Sequence, residues 1–219
     1  IGASGYQADA ELLAVCAAFF TEIGLTSDKV QINVNNRRLM DEQLLKIGVA
    51  PDLKAVIYKL IDRRDKFRPE AWREFAFENG VSAELLDRLI SLLENRDLWK
   101  ESKELSNILD LTDKMGYSDY MNFDPQVIRG LLYYTGTVFE ARDKAPGGRA
   151  LLGGGRYENL VEDVGGDPLS GVGFAMGDVM ISVVLEKYGL LPALNVQPAQ
   201  VVVTCFDEET LPAAYALAA

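Results

Sequence analysis

The sequence predicts an α+β fold: a mainly antiparallel sheet with flanking helices, interrupted by an all-helical stretch. Three observations lead there. Apolar spacing alternates at Val30, Ile32 and Val34, turns helical from about Leu39 to Met115, and becomes strand-like again after Tyr117. Glycine is concentrated between Gly130 and Gly177, where backbones must turn tightly or approach a ligand closely. A proline-flanked linker at 195–199 then precedes a fresh apolar strand.

In order, residues 8–23 read as a helix, with Leu12, Val15, Cys16, Phe19, Phe20 and Ile23 on one stripe and Gly24 closing it. Gln31, Asn33 and Asn35 give the following strand one polar face, so it is expected to be half-buried. In the helical stretch, Leu53, Val56, Ile57, Leu60 and Ile61 form one apolar stripe. Leu85, Leu86, Leu89, Ile90 and Leu93 form another, behind the N-cap candidate Ser82. Breaks fall at 48–51, at Pro69 and at 79–80. Lys59, Arg63, Arg64, Lys66 and Arg68 make a basic cluster, either a solvated face pairing with Asp62, Asp65 and Glu70 or an RNA contact. Strands are predicted at 120–123, 133–141, 150–152 and 171–176, with helices at 157–164 and 178–188. Residues 200–206 read as a strand, buried on both faces if it is parallel, and 208–219 as a helix, the opening of a further α/β domain.

Composition excludes several chemistries. The chain has 219 residues and no histidine, so Ser-His-Asp and Cys-His nucleophiles and His-containing metal sites are out. Cys16 and Cys205 form no CxxC, so no metal site is expected from protein side chains. Both cysteines are expected as reduced, buried thiols, which fits a cytoplasmic protein. A net charge of -11 disfavours non-specific binding to nucleic acid or anionic membrane. No apolar run reaches the roughly 20 residues of a membrane helix. The first ten residues show no signal peptide, and the start at Ile1 predicts a piece of a longer protein.

Three blocks carry chemistry. In the first, residues 129–140, Arg129, Tyr133, Tyr134 and Glu140 sit among apolar neighbours. A buried guanidinium there needs a phosphate or carboxylate, or an internal partner such as Glu140. In the second, Gly153, Gly154 and Gly155 precede Arg156 and Tyr157 in what reads as a turn open to a flat or charged ligand. In the third, Gly173, Phe174 and Gly177 lie on a small-residue strand entering a helix, either a nucleobase floor or tight helix–sheet packing.

Taken together and in this order, RGLLYYTGTVFE, GGGRY and GFAMG resemble the catalytic core of histidyl-tRNA synthetases, a class II aminoacyl-tRNA synthetase family. The first two blocks are similar to its histidine signatures and the third to class II motif 3. The resemblance implies a class II antiparallel core at 1–46 and 118–194, a helical insertion at 47–117, and a linker with the start of an anticodon-binding domain at 195–219. Motifs 1 and 2 are expected to precede Ile1.

The resemblance further implies a ligase that activates L-histidine with ATP and Mg2+ and charges tRNA(His), as a cytoplasmic homodimer without membrane contact. It places Arg129 at the activated carboxylate and α-phosphate as the catalytic residue. It places Tyr133, Tyr134 and Tyr157 around the histidine, and Gly153, Gly154, Gly155, Arg156, Gly173, Phe174 and Gly177 at the adenylate. Two positions depart from the pattern: Leu132 stands where many members are acidic, and Met180 stands about where motif 3 has an arginine. A second reading is the synthetase-like, non-catalytic regulatory subunit of ATP phosphoribosyltransferase, which senses histidine with the same core.

Overall fold

The computed structural model describes residues 1–128, 133–193, 199 and 201–218. Helix α1 (Tyr6–Glu22) leads to strand β1 (Val30–Asn36). Helices α2 (Arg37–Lys46), α3 (Lys54–Arg63), α4 (Pro69–Glu78), α5 (Ala83–Glu94) and α6 (Lys103–Lys114) follow. Then come β2 (Met121–Phe123), β3 (Thr137–Asp143), β4 (Ala150–Tyr157), α7 (Leu160–Asp163), β5 (Gly171–Met176), α8 (Asp178–Lys187) and α9 (Leu211–Ala218).

The helix boundaries follow from local chemistry. Gly24 ends α1 at φ +77°, a region other residues avoid. Ser82 Oγ accepts from Leu85 N at 3.2 Å to cap α5, and Asn36 Oδ1 accepts from Arg38 N at 2.9 Å to cap α2. Pro69 opens α4, where its missing N–H costs nothing.

The five strands run in the order β2-β1-β3-β4-β5. β1, β3, β4 and β5 are antiparallel neighbours, whereas β2 lies parallel to β1 at the edge. A parallel neighbour needs a long crossover, and α2 to α6 supply it. Their apolar residues, among them Leu60, Trp72, Leu86 and Ile108, join one continuous core with Phe20 and Phe139. Helix α6 packs directly on α1.

Strand alternation gives the sheet two faces. Val30, Ile32, Val34, Phe139, Ala141 and Leu152 are fully or almost fully buried on the side covered by α1 and α8. Asn33, Glu140, Gly153, Gly155, Tyr157 and Gly173 share the other face by register.

Five expectations are corrected. The third strand begins at Thr137, so Tyr133 and Tyr134 lie in the turn before it. Gly153, Gly154 and Gly155 form the middle of β4, hydrogen-bonded on both edges, rather than a turn. On the polar face of β1, Asn33 and Asn35 are buried, because Asn122 and the chain at 125–127 bond to them, and only Gln31 stays half-exposed. Residues 201–206 form no strand; Val201, Val202 and Phe206 are exposed, with no partner strand beside them among the described residues. Cys205 is therefore exposed, while burial pushes the Cys16 thiol up to about 12. Of the predicted linker 195–199, residues 195–198 lie outside the described residues.

In the basic cluster, Lys66 pairs with Asp62 at 3.0 Å and Arg64 with Glu94 at 3.2 Å. Arg63 stacks near Phe67 and Phe75, and Lys59 near Phe75. These side chains cover aromatic surface with their stems as well as offering charge.

Candidate active site

The polar face of the sheet carries a cluster of three tyrosines. The Tyr133 and Tyr134 rings lie 4.6 Å apart, and Tyr157 stands perpendicular to Tyr133 at 6.3 Å. Tyr157 ends β4; the other two sit in the turn folded back over that strand. The turn can fold so closely because Gly155 lies beneath it: a Cβ there would come within 2.7 Å of Tyr134 Cδ1. On β5, a Cβ at Gly173 would approach Tyr157 Oη to 3.3 Å. Bare backbone thus lies against the rings of Tyr134 and Tyr157, and each of the three phenols is both donor and acceptor.

Gly153 faces the same way, opposite Glu140. Gly154 and Phe174 do not. They pair across β4 and β5, and the Cβ position of Gly154 lies within 2.7 Å of Phe139 Cζ and Phe174 Cβ, on the core face. Arg156 shares that face and is 1% exposed. Its Nε donates to both Asp9 oxygens (3.0 and 2.9 Å), and Nη2 to Asp9 Oδ2 (2.5 Å) and Gly5 O (3.1 Å). Nη1 donates to Ala3 O (2.9 Å) and Ser170 Oγ (2.6 Å). Every N–H of this guanidinium has an acceptor inside the protein, so the buried arginine tied to an internal acid is Arg156 with Asp9. Glu140, the partner considered for Arg129, is bonded to Arg142. Arg129 and Leu132 lie outside the described residues.

Gly177 is the residue before α8, and its N–H donates to Leu151 O at 3.1 Å. Met180, one turn on, packs against the core.

Between this face of the sheet and α3 lies a cavity of about 490 Å³. Asn33, Glu140 and Arg142 contribute from the sheet, Asp124 and Gln126 from the chain after β2, and Asp62 and Asp65 from α3 and the turn after it. Burial pulls the Arg142 guanidinium down, but the Glu140 carboxylate, with Asp65 and Asp124, more than restores it and holds it above its usual range. Asp124 also takes Arg96 at 2.7 Å. Lys66 lines it as well and pairs with Asp62, so four carboxylates meet two cations there and the lining keeps a net negative charge, which suits a ligand with a positive group.

Asn33, Asp124, Gln126, Arg142 and Asp9 were not among the sequence candidates. The alternating Gln31-Asn33-Asn35 was a readable signal for a functional face, and Asp9 inside an apolar helix stripe was a signal for a buried partner. Asp124 and Gln126 carried none. Among the described residues, no group of three or more His, Cys, Asp or Glu could hold a metal ion.

Comparisons with known proteins bear on this geometry. A family model described as histidyl-tRNA synthetase matches residues 1–179. The chloroplastic/mitochondrial histidine--tRNA ligase of Arabidopsis thaliana is 34% identical over 229 residues, covering 100% of this chain and 47% of that protein. The histidine--tRNA ligase of Thermococcus kodakarensis is 33% identical, covering 95% of this chain and 51% of that one. The chain therefore spans about half the length of the curated relatives it matches. Among solved structures, a histidyl-tRNA synthetase from Nostoc sp. aligns at TM-score 0.76 with 24% identity, over 98% of this chain and 55% of that one. A Bacillus halodurans protein described as an ATP phosphoribosyltransferase regulatory subunit/histidyl-tRNA synthetase aligns at TM-score 0.68 with 21% identity, over 84% and 51%. At such identities the likeness speaks for the fold.

Proposed function

The chain belongs to the histidyl-tRNA synthetase family, and on that basis we propose that it carries the histidine-binding part of an ATP-dependent histidine–tRNA ligase. The observation that carries the reading is the cluster of Tyr133, Tyr134 and Tyr157 over a glycine floor. A neutral imidazole presents one donor and one acceptor in a plane, which phenols satisfy from either side. The acidic cavity beside Glu140 supplies the field that an α-ammonium group needs.

In this reading the histidine carboxylate attacks the α-phosphorus of ATP in line. The new O–P bond forms as the bond to the bridging oxygen breaks, and pyrophosphate leaves. The terminal ribose hydroxyl of tRNA(His) then attacks the acyl carbon and AMP departs. Arg129 stabilises charge building on the phosphoryl oxygens, and Mg2+ enters with the phosphates of ATP. Gly153, Gly155, Gly173 and Gly177 let the adenylate approach the backbone. Gly154, Phe174 and Arg156 support this surface from behind. The whole protein is proposed to act as a homodimer in the cytoplasm; among the described residues no helix is long and apolar enough to cross a membrane.

Met180, packed against the core where an arginine was expected, favours one other reading, a regulatory subunit that binds histidine in the same pocket without activating it. Calorimetry with L-histidine and histidine-dependent ATP–pyrophosphate exchange, both on the whole protein, decide between them. Binding with exchange supports the ligase, binding without exchange the regulatory subunit, and no binding overturns both.

A further inference from the structure

The corner between β1 and α2 buries three successive polar side chains: Asn35, Asn36 and Arg37 are 0%, 1% and 6% exposed. Asn36 caps α2. The other two reach the chain that enters and leaves the tyrosine turn. Asn35 Nδ2 donates to the carbonyls of Pro125 (3.1 Å) and Val127 (3.0 Å). Arg37 Nη1 donates to the Ile128 carbonyl at 3.1 Å, and the Arg37 backbone N–H to the Gly136 carbonyl at 2.8 Å. Both ends of 128–136 are thus tied to one corner.

The guanidinium of Arg37 is held from the other side. Its Cζ lies 4.0 Å from the centroid of the Tyr58 ring, on α3. The Tyr58 hydroxyl donates to Asp41 on α2, and Asp41 pairs with Lys54 at 2.8 Å. Arg37, Tyr58, Tyr134 and Thr135 line one cavity of about 420 Å³. Tyr134 therefore belongs at once to the tyrosine cluster and to the wall that Arg37 and Tyr58 build.

We propose that Asn35 and Arg37 are positioning residues for Tyr134, and that Tyr58 ties α3 to the histidine pocket through its stack on Arg37. The proposal rests on Tyr134 contacting histidine. A planar fork stacked on a ring is fixed in orientation, so the carbonyl it bonds is fixed too. A binding turn held at both ends loses less freedom when ligand arrives.

The test combines amide hydrogen exchange with histidine calorimetry in the whole protein. The Thr135 N–H donates to Arg156 O at 2.8 Å and reports on the turn. Arg37→Met and Tyr58→Leu are each expected to raise exchange at Thr135 at least tenfold and weaken histidine binding at least tenfold, with exchange in β4 unchanged. Tyr58→Phe keeps the ring and is expected to match the wild type. Should Arg37→Met fail to fold, Tyr58→Leu decides, because it leaves every hydrogen bond of Arg37 in place. Unchanged exchange at Thr135, or an equal rise in β4, overturns the proposal. A wild type that binds no histidine overturns the functional reading instead, while the comparison of Thr135 with β4 still decides the anchoring.

Discussion

Asp9→Ala is expected to be among the most damaging single substitutions outside the tyrosine cluster. Asp9 and Arg156 are 0% and 1% exposed and join α1 to β4 across the core. Among the described residues, the substitution removes the only formal negative charge bonded to this guanidinium. It leaves a buried cation with neutral acceptors at Ala3, Gly5 and Ser170 alone. Breaking a buried pair from one side costs about 3–5 kcal/mol, against a total stability of roughly 5–15 kcal/mol for a domain. With a urea slope of about 2 kcal/mol/M, the midpoint should fall by roughly 2 M. Equilibrium urea unfolding followed by far-ultraviolet circular dichroism measures this. Replacing both partners, as in Asp9→Leu with Arg156→Met, should cost less than the two single changes added, by about 0.5–3 kcal/mol of coupling. A loss under about 1 kcal/mol in Asp9→Ala would refute the reasoning, because the cation would then be compensated by something other than Asp9.

Tyr157→Phe removes one hydroxyl next to the proposed imidazole and should weaken histidine binding by about 1–3 kcal/mol; calorimetry reads it, and unchanged affinity would make Tyr157 a packing residue. Gly155→Ala puts a Cβ 2.7 Å from Tyr134 Cδ1 and from the Thr137 carbonyl. Thermal unfolding should show a loss of about 1–3 kcal/mol, and a fully stable variant with native histidine affinity would contradict the close floor. For Asp143, burial alone would raise the carboxyl, but Lys187 (2.5 Å), Ala145 N–H (3.0 Å) and Tyr188 (2.7 Å) outweigh it and hold it below its usual range. A folded pKa below the unfolded value means the stabilisation is complete above the unfolded value and fades as pH falls through the folded one. Asp143→Asn should therefore lose stability at pH 7, and the gap should close below about pH 4; a gap constant from pH 7 to pH 3, measured by urea titration, would count against it.

The helices were legible because their information is local. The stripe at Leu85, Leu86, Leu89, Ile90 and Leu93, the Ser82 cap and the Gly24 stop act within a few residues of one another, and α1, α5 and the strand at 171–176 stand where periodicity placed them. The three glycine- and tyrosine-bearing blocks were legible as a set, and the family match over 1–179 rests on the same chain. What required the tertiary structure was pairing and facing. Gly153, Gly154 and Gly155 read as a turn, since nothing local shows that β3 and β5 flank them. Once they are a strand, alternation sends Gly155 to the tyrosines and Gly154 to Phe139. Arg156 looked like a ligand contact because its acceptor, Asp9, stands 147 residues away in sequence. The parallel edge strand β2, the acidic cavity under α3 and the anchoring by Asn35 and Arg37 all join segments separated by the helical crossover. Residues 201–206 show the converse: their apolar run has every local mark of a strand, yet a strand is completed only by hydrogen bonds to a neighbour, and no described segment supplies them.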